Sequence, residues 1–114
     1  MALEEGPVAT FYRIVKTDPP AESDFLSYRA LGRPLLRDTP SQRRSWEGVS
    51  VTSTIDAARA LAARAPSLGR FIAILELTET GPVRFGQTGG VRQHYDLWGE
   101  SGDMLAAVVR VVPI

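Results

Sequence analysis

The sequence predicts a single α+β domain with a mixed or antiparallel sheet and two main helices. Three observations carry that expectation. The chain has 114 residues, enough for one hydrophobic core and too few for two. Its apolar and charged fractions, 44% and 23%, are those of an ordinary globular protein. Its periodicities run strand, helix, strand, helix and then several strands, without the strict alternation of a doubly wound fold. Residues 1–9, "MALEEGPVA", are expected to form a flexible arm ahead of a domain over 10–114.

The first strand is "TFYRIVK", β-branched and aromatic throughout. Alternation puts Phe11, Arg13 and Val15 on one face and Tyr12, Ile14 and Lys16 on the other. Arg13 therefore shares an apolar face, where a charge needs a partner or a ligand. "TDPPAESDFLSYRALGRP" opens with prolines and ends at Gly32 and Pro34, which predicts a short helix over Ala21 to Leu31. "LLRDTPSQRRS" has no clear period and reads as a loop, with Arg43 and Arg44 as a solvated pair.

"WEGVSVTST" reads as a second strand, with Val49 and Val51 on an apolar face and Gly48, Ser50 and Thr52 on a small polar one. Trp46 begins the core on this reading. Ser53 or Thr54 then caps a helix whose Ala58, Leu61, Ala62 and Ala65 form a narrow apolar stripe, closed by Pro66. "RFIAILELTE" is apolar on both faces, as expected of a central strand inside a covered sheet. "GPVRFGQTGG" supplies a shorter strand ending in glycine turns. "MLAAVVRVVPI" supplies a last strand over Ala107 to Val112, with a possible helical turn at its start.

Composition excludes several functions. Thirteen basic and thirteen acidic side chains cancel, so no net field draws the molecule to nucleic acid or anionic lipid. Without cysteine there is no disulfide framework, thiol nucleophile or thiolate metal site, and a single histidine argues against a histidine-rich one. No apolar run approaches the roughly 20 residues of a membrane span, and the N-terminus lacks the pattern of a signal peptide. A cytoplasmic bacterial protein is the expected setting. There is no GxGxxG after a strand, no P-loop, no HExxH and no GxSxG elbow. "GQTGG" reads as a turn, since no helix clearly follows it to cradle phosphate.

The segment "QHYDLWGE" holds the one histidine. His94 could act as a general base near neutral pH, or serve as a hydrogen-bonded structural residue. Ser50 or Ser53, His94 and Asp96 could form a nucleophilic triad only if the fold joins them, which spacing alone does not establish. Tyr95 and Trp98 could stack on a flat ring or lock a loop against the sheet.

The order of these features resembles the ADP-ribosyltransferase-like domains, including small bacterial toxins that degrade NAD and share a split sheet. The resemblance implies that Arg13, in "YR", holds the NAD phosphates or ribose, and that Ser50, Thr52 and Ser53, in "GVSVTST", line the nicotinamide site. The family's late glutamate has no clear counterpart, for no "ExE" or "QxE" precedes the last strand. Gln93 is the nearest positional stand-in, followed by His94 and Glu100. The chain also resembles a group of short bacterial proteins with a "DF.S" helix, a "W.G.S" strand and a late "HY.LWG". Here those are "DFLS", "WEGVS" and "HYDLWG".

Two functions are therefore expected. In the first, the protein is a noncatalytic interaction or accessory module with another protein as partner and no cofactor, and "HYDLWG" is a structural corner or docking patch. Arg13 should then pair with a carboxylate. In the second, it is an NAD-binding or NAD-cleaving toxin or effector domain, with NAD as substrate. Arg13, Ser50, Thr52, Tyr95 and Trp98 would then bind the ligand and His94 and Gln93 would act on the ribose, all around one cleft. No metal site is expected in either case.

Overall fold

A computed structural model describes residues 8–114. The chain is an α+β domain built on one six-stranded antiparallel sheet, ordered β4-β5-β2-β1-β3-β6. The strands are β1 (Val8–Val15), β2 (Val49–Thr52), β3 (Phe71–Thr78), β4 (Arg84–Gly86), β5 (His94–Trp98) and β6 (Val108–Pro113). The helices are α1 (Pro40–Glu47), α2 (Ile55–Arg64) and α3 (Ser101–Ala106). The expected arm falls mostly outside the described residues, but Val8 and Ala9 belong to β1, where they pair with Thr78 and Leu77.

Alternation sorts the sheet into two unlike faces. Phe11, Val15, Val49, Val51, Ala73, Leu75 and Leu97 point into the main core, which the 3-10 turn Glu22–Phe25 and α3 close with Phe25 and Met104. Fully burying a side chain such as Phe25 contributes about 1.5–3 kcal/mol. The opposite face carries Tyr12, Ile14, Ser50, Thr52, His94 and Asp96. There α2 lies against β1 and β2, its Ala58 and Ala62 buried one helical turn apart. Gly69, after α2, passes so close to β1 that a Cβ would stand 2.2 Å from the Val15 carbonyl oxygen.

Four expectations need correction. The helix over Ala21 to Leu31 reduces to the short 3-10 turn, because the Asp24 carboxylate accepts from the backbone N–H groups of Ala21 and Lys16. Such local side-chain bonds compete with a helical ladder. The "loop" around Arg43 is instead α1. It buries no residue, so it shows no apolar period, but Thr39 caps it, Pro40 starts it and Trp46 lies on it rather than in a strand. "HYDLWG" is no corner: its first five residues are β5, hydrogen-bonded to β2 and β4 on its two sides. β3 has neighbours on both sides, as expected of a covered strand, yet lies next to the edge strand β6 rather than at the centre.

Candidate functional site: a cleft where the sheet parts

β1 pairs with β3 along its whole length, from Val8↔Thr78 to Val15↔Phe71, but meets β2 only at Tyr12↔Thr52. Beyond that pair the strands part, and Arg13 reaches across the opening. Its Nη1 donates to the Ser50 carbonyl at 2.7 Å and its Nε to the Asp24 carbonyl at 2.9 Å. The guanidinium thus satisfies a strand carbonyl that a neighbouring strand would otherwise serve. Among the described residues no carboxylate lies within ion-pair distance of it, because the Asp24 side chain is committed to backbone N–H groups. Burial pushes the Arg13 pKa down, and Asp24 and Tyr28 pull it back up. Arginine remains a cation throughout.

A cleft of about 560 Å³ opens at this parting. That size is ordinary for a small-ligand pocket. Arg13, Ser50, Thr52 and His94 all line it. The 3-10 turn and the segment after it form one wall with Asp24, Tyr28 and Arg33, and α2 forms another with Ala58 and Leu61. Lys16 also lines it, its Nζ donating to the Ser67 carbonyl at 3.0 Å. A second, more apolar cavity of about 490 Å³ adjoins the first and shares Thr52, Leu61 and His94 with it. Gln93 lines only this second cavity, with Arg64 and Val91.

Of the two aromatic residues expected to stack on a ligand, neither faces the cleft. Tyr95 points to the opposite side of β5, its ring centroid 5.1 Å from that of Phe11 in the core. Trp98 lies under α1, where its Nε1 donates to the Arg44 carbonyl at 2.8 Å and the Arg44 guanidinium sits 4.4 Å above its ring. Ser53 donates its backbone N–H to the Gln93 carbonyl, so it fastens the end of β2 to the start of β5.

His94 sits opposite Thr52 in the β2–β5 ladder, its side chain 31% exposed. Two residues on, Asp96 lies on the same face and is fully buried. The Thr88 hydroxyl donates a short hydrogen bond to Asp96 Oδ2, while Oδ1 has no partner among the described residues and lies 3.9 Å from His94 Nε2. Burial pushes the Asp96 pKa up, against the pull of Thr88, His94, Ser45 and Arg44. Sequence reasoning named Asp96 beside His94 only as a conditional triad member and did not foresee its burial. The signal was available in the period-two spacing of His94, Asp96 and Trp98, which puts all three on one face of a strand.

Among the described residues, no group of three or more His, Asp and Glu side chains is placed to hold a metal ion, and no helix is long and apolar enough to cross a membrane. Comparisons with protein-family models, with curated proteins and with solved structures returned no match.

Proposed function

We propose that this protein is an NAD-binding domain of the ADP-ribosyltransferase-like class, acting in the bacterial cytoplasm, and that the cleft beside Arg13 is its ligand site. The observation that carries the reading is convergence. Arg13, Ser50, Thr52 and His94 come from three strands that are far apart in sequence, yet all four line one cleft. Arg13 spends only part of its donor fork on backbone carbonyls, and Nη2 is left for an anionic ligand. Ser50 and Thr52 are small enough to admit a flat ring beside it. The neighbouring apolar cavity gives an extended ligand room for a second planar group.

The test is a proton NMR time course of the purified protein with NAD, repeated with Arg13→Ala and His94→Ala. Growth of free nicotinamide with the wild type alone is the expected result for a cleaving enzyme. Broadened NAD resonances without consumption are the expected result for a binding domain. Sharp, unchanged resonances would remove NAD as the ligand. They would favour the interaction-module reading, whose support is the exposed apolar surface of Tyr28, Leu31 and Leu36, the last 88% exposed.

A further inference from the structure

We propose that Asp96 is the positioning residue for His94: it holds the imidazole as the Nε2–H tautomer, so that Nδ1 is the nitrogen left to accept a proton in the cleft. The inference begins with an unsatisfied atom. A buried carboxylate oxygen without a donor costs roughly 1–3 kcal/mol, and Asp96 Oδ1 is such an atom among the described residues. The sheet itself creates the problem. Asp96 is on β5, flanked by β2 and the edge strand β4, and α1 closes over it so tightly that a Cβ on Gly48 would stand 2.9 Å from Asp96 Cβ.

Four groups face the carboxylate. Thr88, from the loop between β4 and β5, already serves Oδ2. Ser45 and Arg44, from α1, also favour its charged form. The fourth is His94, whose Nε2 is 3.9 Å from Oδ1. A rotation of the imidazole toward Oδ1 closes that gap to a hydrogen bond. Thr88, on the far oxygen, fixes the carboxylate plane. Neither ring nitrogen of His94 has another hydrogen-bond partner among the described residues, and the ring lines both cavities.

On the NAD reading, the pair supplies a proton route. A hydroxyl or water oxygen in the cleft gives its proton to Nδ1 and bonds to the ribose carbon of the N-glycosidic pyridinium. The C–N bond breaks with its electron pair going to the pyridine nitrogen, which leaves as neutral nicotinamide. The imidazolium formed then directs its Nε2–H at Asp96. In serine proteases, loss of the aspartate in the same orienting role costs about 10⁴ in rate through the wrong tautomer.

The test needs no ligand, so its result is independent of whether NAD is the substrate. The chain has one histidine, so its imidazole nitrogens are unambiguous in a long-range ¹H–¹⁵N spectrum. With the ring neutral, the expected wild-type spectrum has Nε2 as the protonated, pyrrole-type nitrogen and Nδ1 as the bare one. Asp96→Asn should shift both resonances toward a tautomer mixture, while Ser101→Ala, on α3, leaves them in place. A wild-type ring that is Nδ1–H, or already an even mixture, would overturn the assignment even if no variant folds. So would an Asp96→Asn spectrum identical to the wild type.

Discussion

Among the described ionisable side chains, Asp96 and Arg13 are the two whose pKa burial shifts, and each makes a distinct prediction. The folded pKa of Asp96 is raised above its ordinary value of 3.8, so the native state holds the proton more tightly than the unfolded chain does. Its contribution to stability is complete below that value and is lost as pH rises through the folded pKa. Asp96→Asn removes this pH-dependent loss. Its denaturation midpoint, measured against the wild type from pH 3 to 7, should therefore gain steadily as pH rises. A difference that stays flat would show that burial does not control this carboxylate. Arg13→Met keeps the aliphatic stem but strands the Ser50 and Asp24 carbonyls. Equilibrium unfolding should show a loss of about 1–3 kcal/mol.

Each helix owes its ends to local chemistry and its position to the sheet. The Thr54 hydroxyl accepts from the Ala57 N–H at 3.1 Å, and that of Thr39 accepts from Gln42 N–H at 3.2 Å. Each bond satisfies a donor that the helix cannot serve itself, so Thr54→Ala and Thr39→Ala should each cost about 1 kcal/mol in urea unfolding. If only Thr54→Ala registers, α1 is held by its contacts with β5 rather than by its cap. The join between α1 and β2 is tighter. A Cβ at Gly48 would meet Asp96 Cβ and Trp98 Nε1 at 2.9 Å, both on a packed strand, so Gly48→Ala should lower the melting temperature and loosen the Trp98 bond to Arg44. Trp98 fluorescence in a Trp46→Phe background reads that loosening directly.

The two halves of the sheet, β4-β5-β2 and β1-β3-β6, are joined by one strand pair of minimal length. Eight residue pairs hold β1 to β3, and a single pair holds β1 to β2. Native-state hydrogen exchange should find the Phe11–Val15 and Ile72–Leu75 amides protected to near the global unfolding free energy. The β2 and β5 amides should open at lower cost. Uniform protection across both halves would mean that the shared core, not the ladder, makes the sheet cooperative. The cleft lies at this seam, so a ligand that bridges Arg13 and His94 should raise protection in β2 and β5 first.

Much of this frame was legible in the residues. The α+β class, the strands around Arg13, Leu75 and Val111, and the alanine stripe of α2 all follow from apolar spacing, because a half-buried element must repeat with its own period. Where burial is absent or the element is short, that signal fails. α1 buries nothing and so looked like a loop. β5 does keep a period of two, with Tyr95 and Leu97 turned to the core and His94 and Asp96 to the opposite side, but it is only five residues long and ends at a glycine, so it looked like a corner. Local bonding by Asp24 ended a helix that composition favoured. The sequence by itself determined which residue types were present and which faces could be buried, since both depend on neighbours along the chain. Only the tertiary structure decided that Arg13 would meet two carbonyls instead of a carboxylate, that Tyr95 and Trp98 would turn away from the cleft, and that Asp96 would lie buried beside His94. Those outcomes depend on strand order and on where the sheet parts, and they join residues as far apart in the chain as Phe11 and Tyr95.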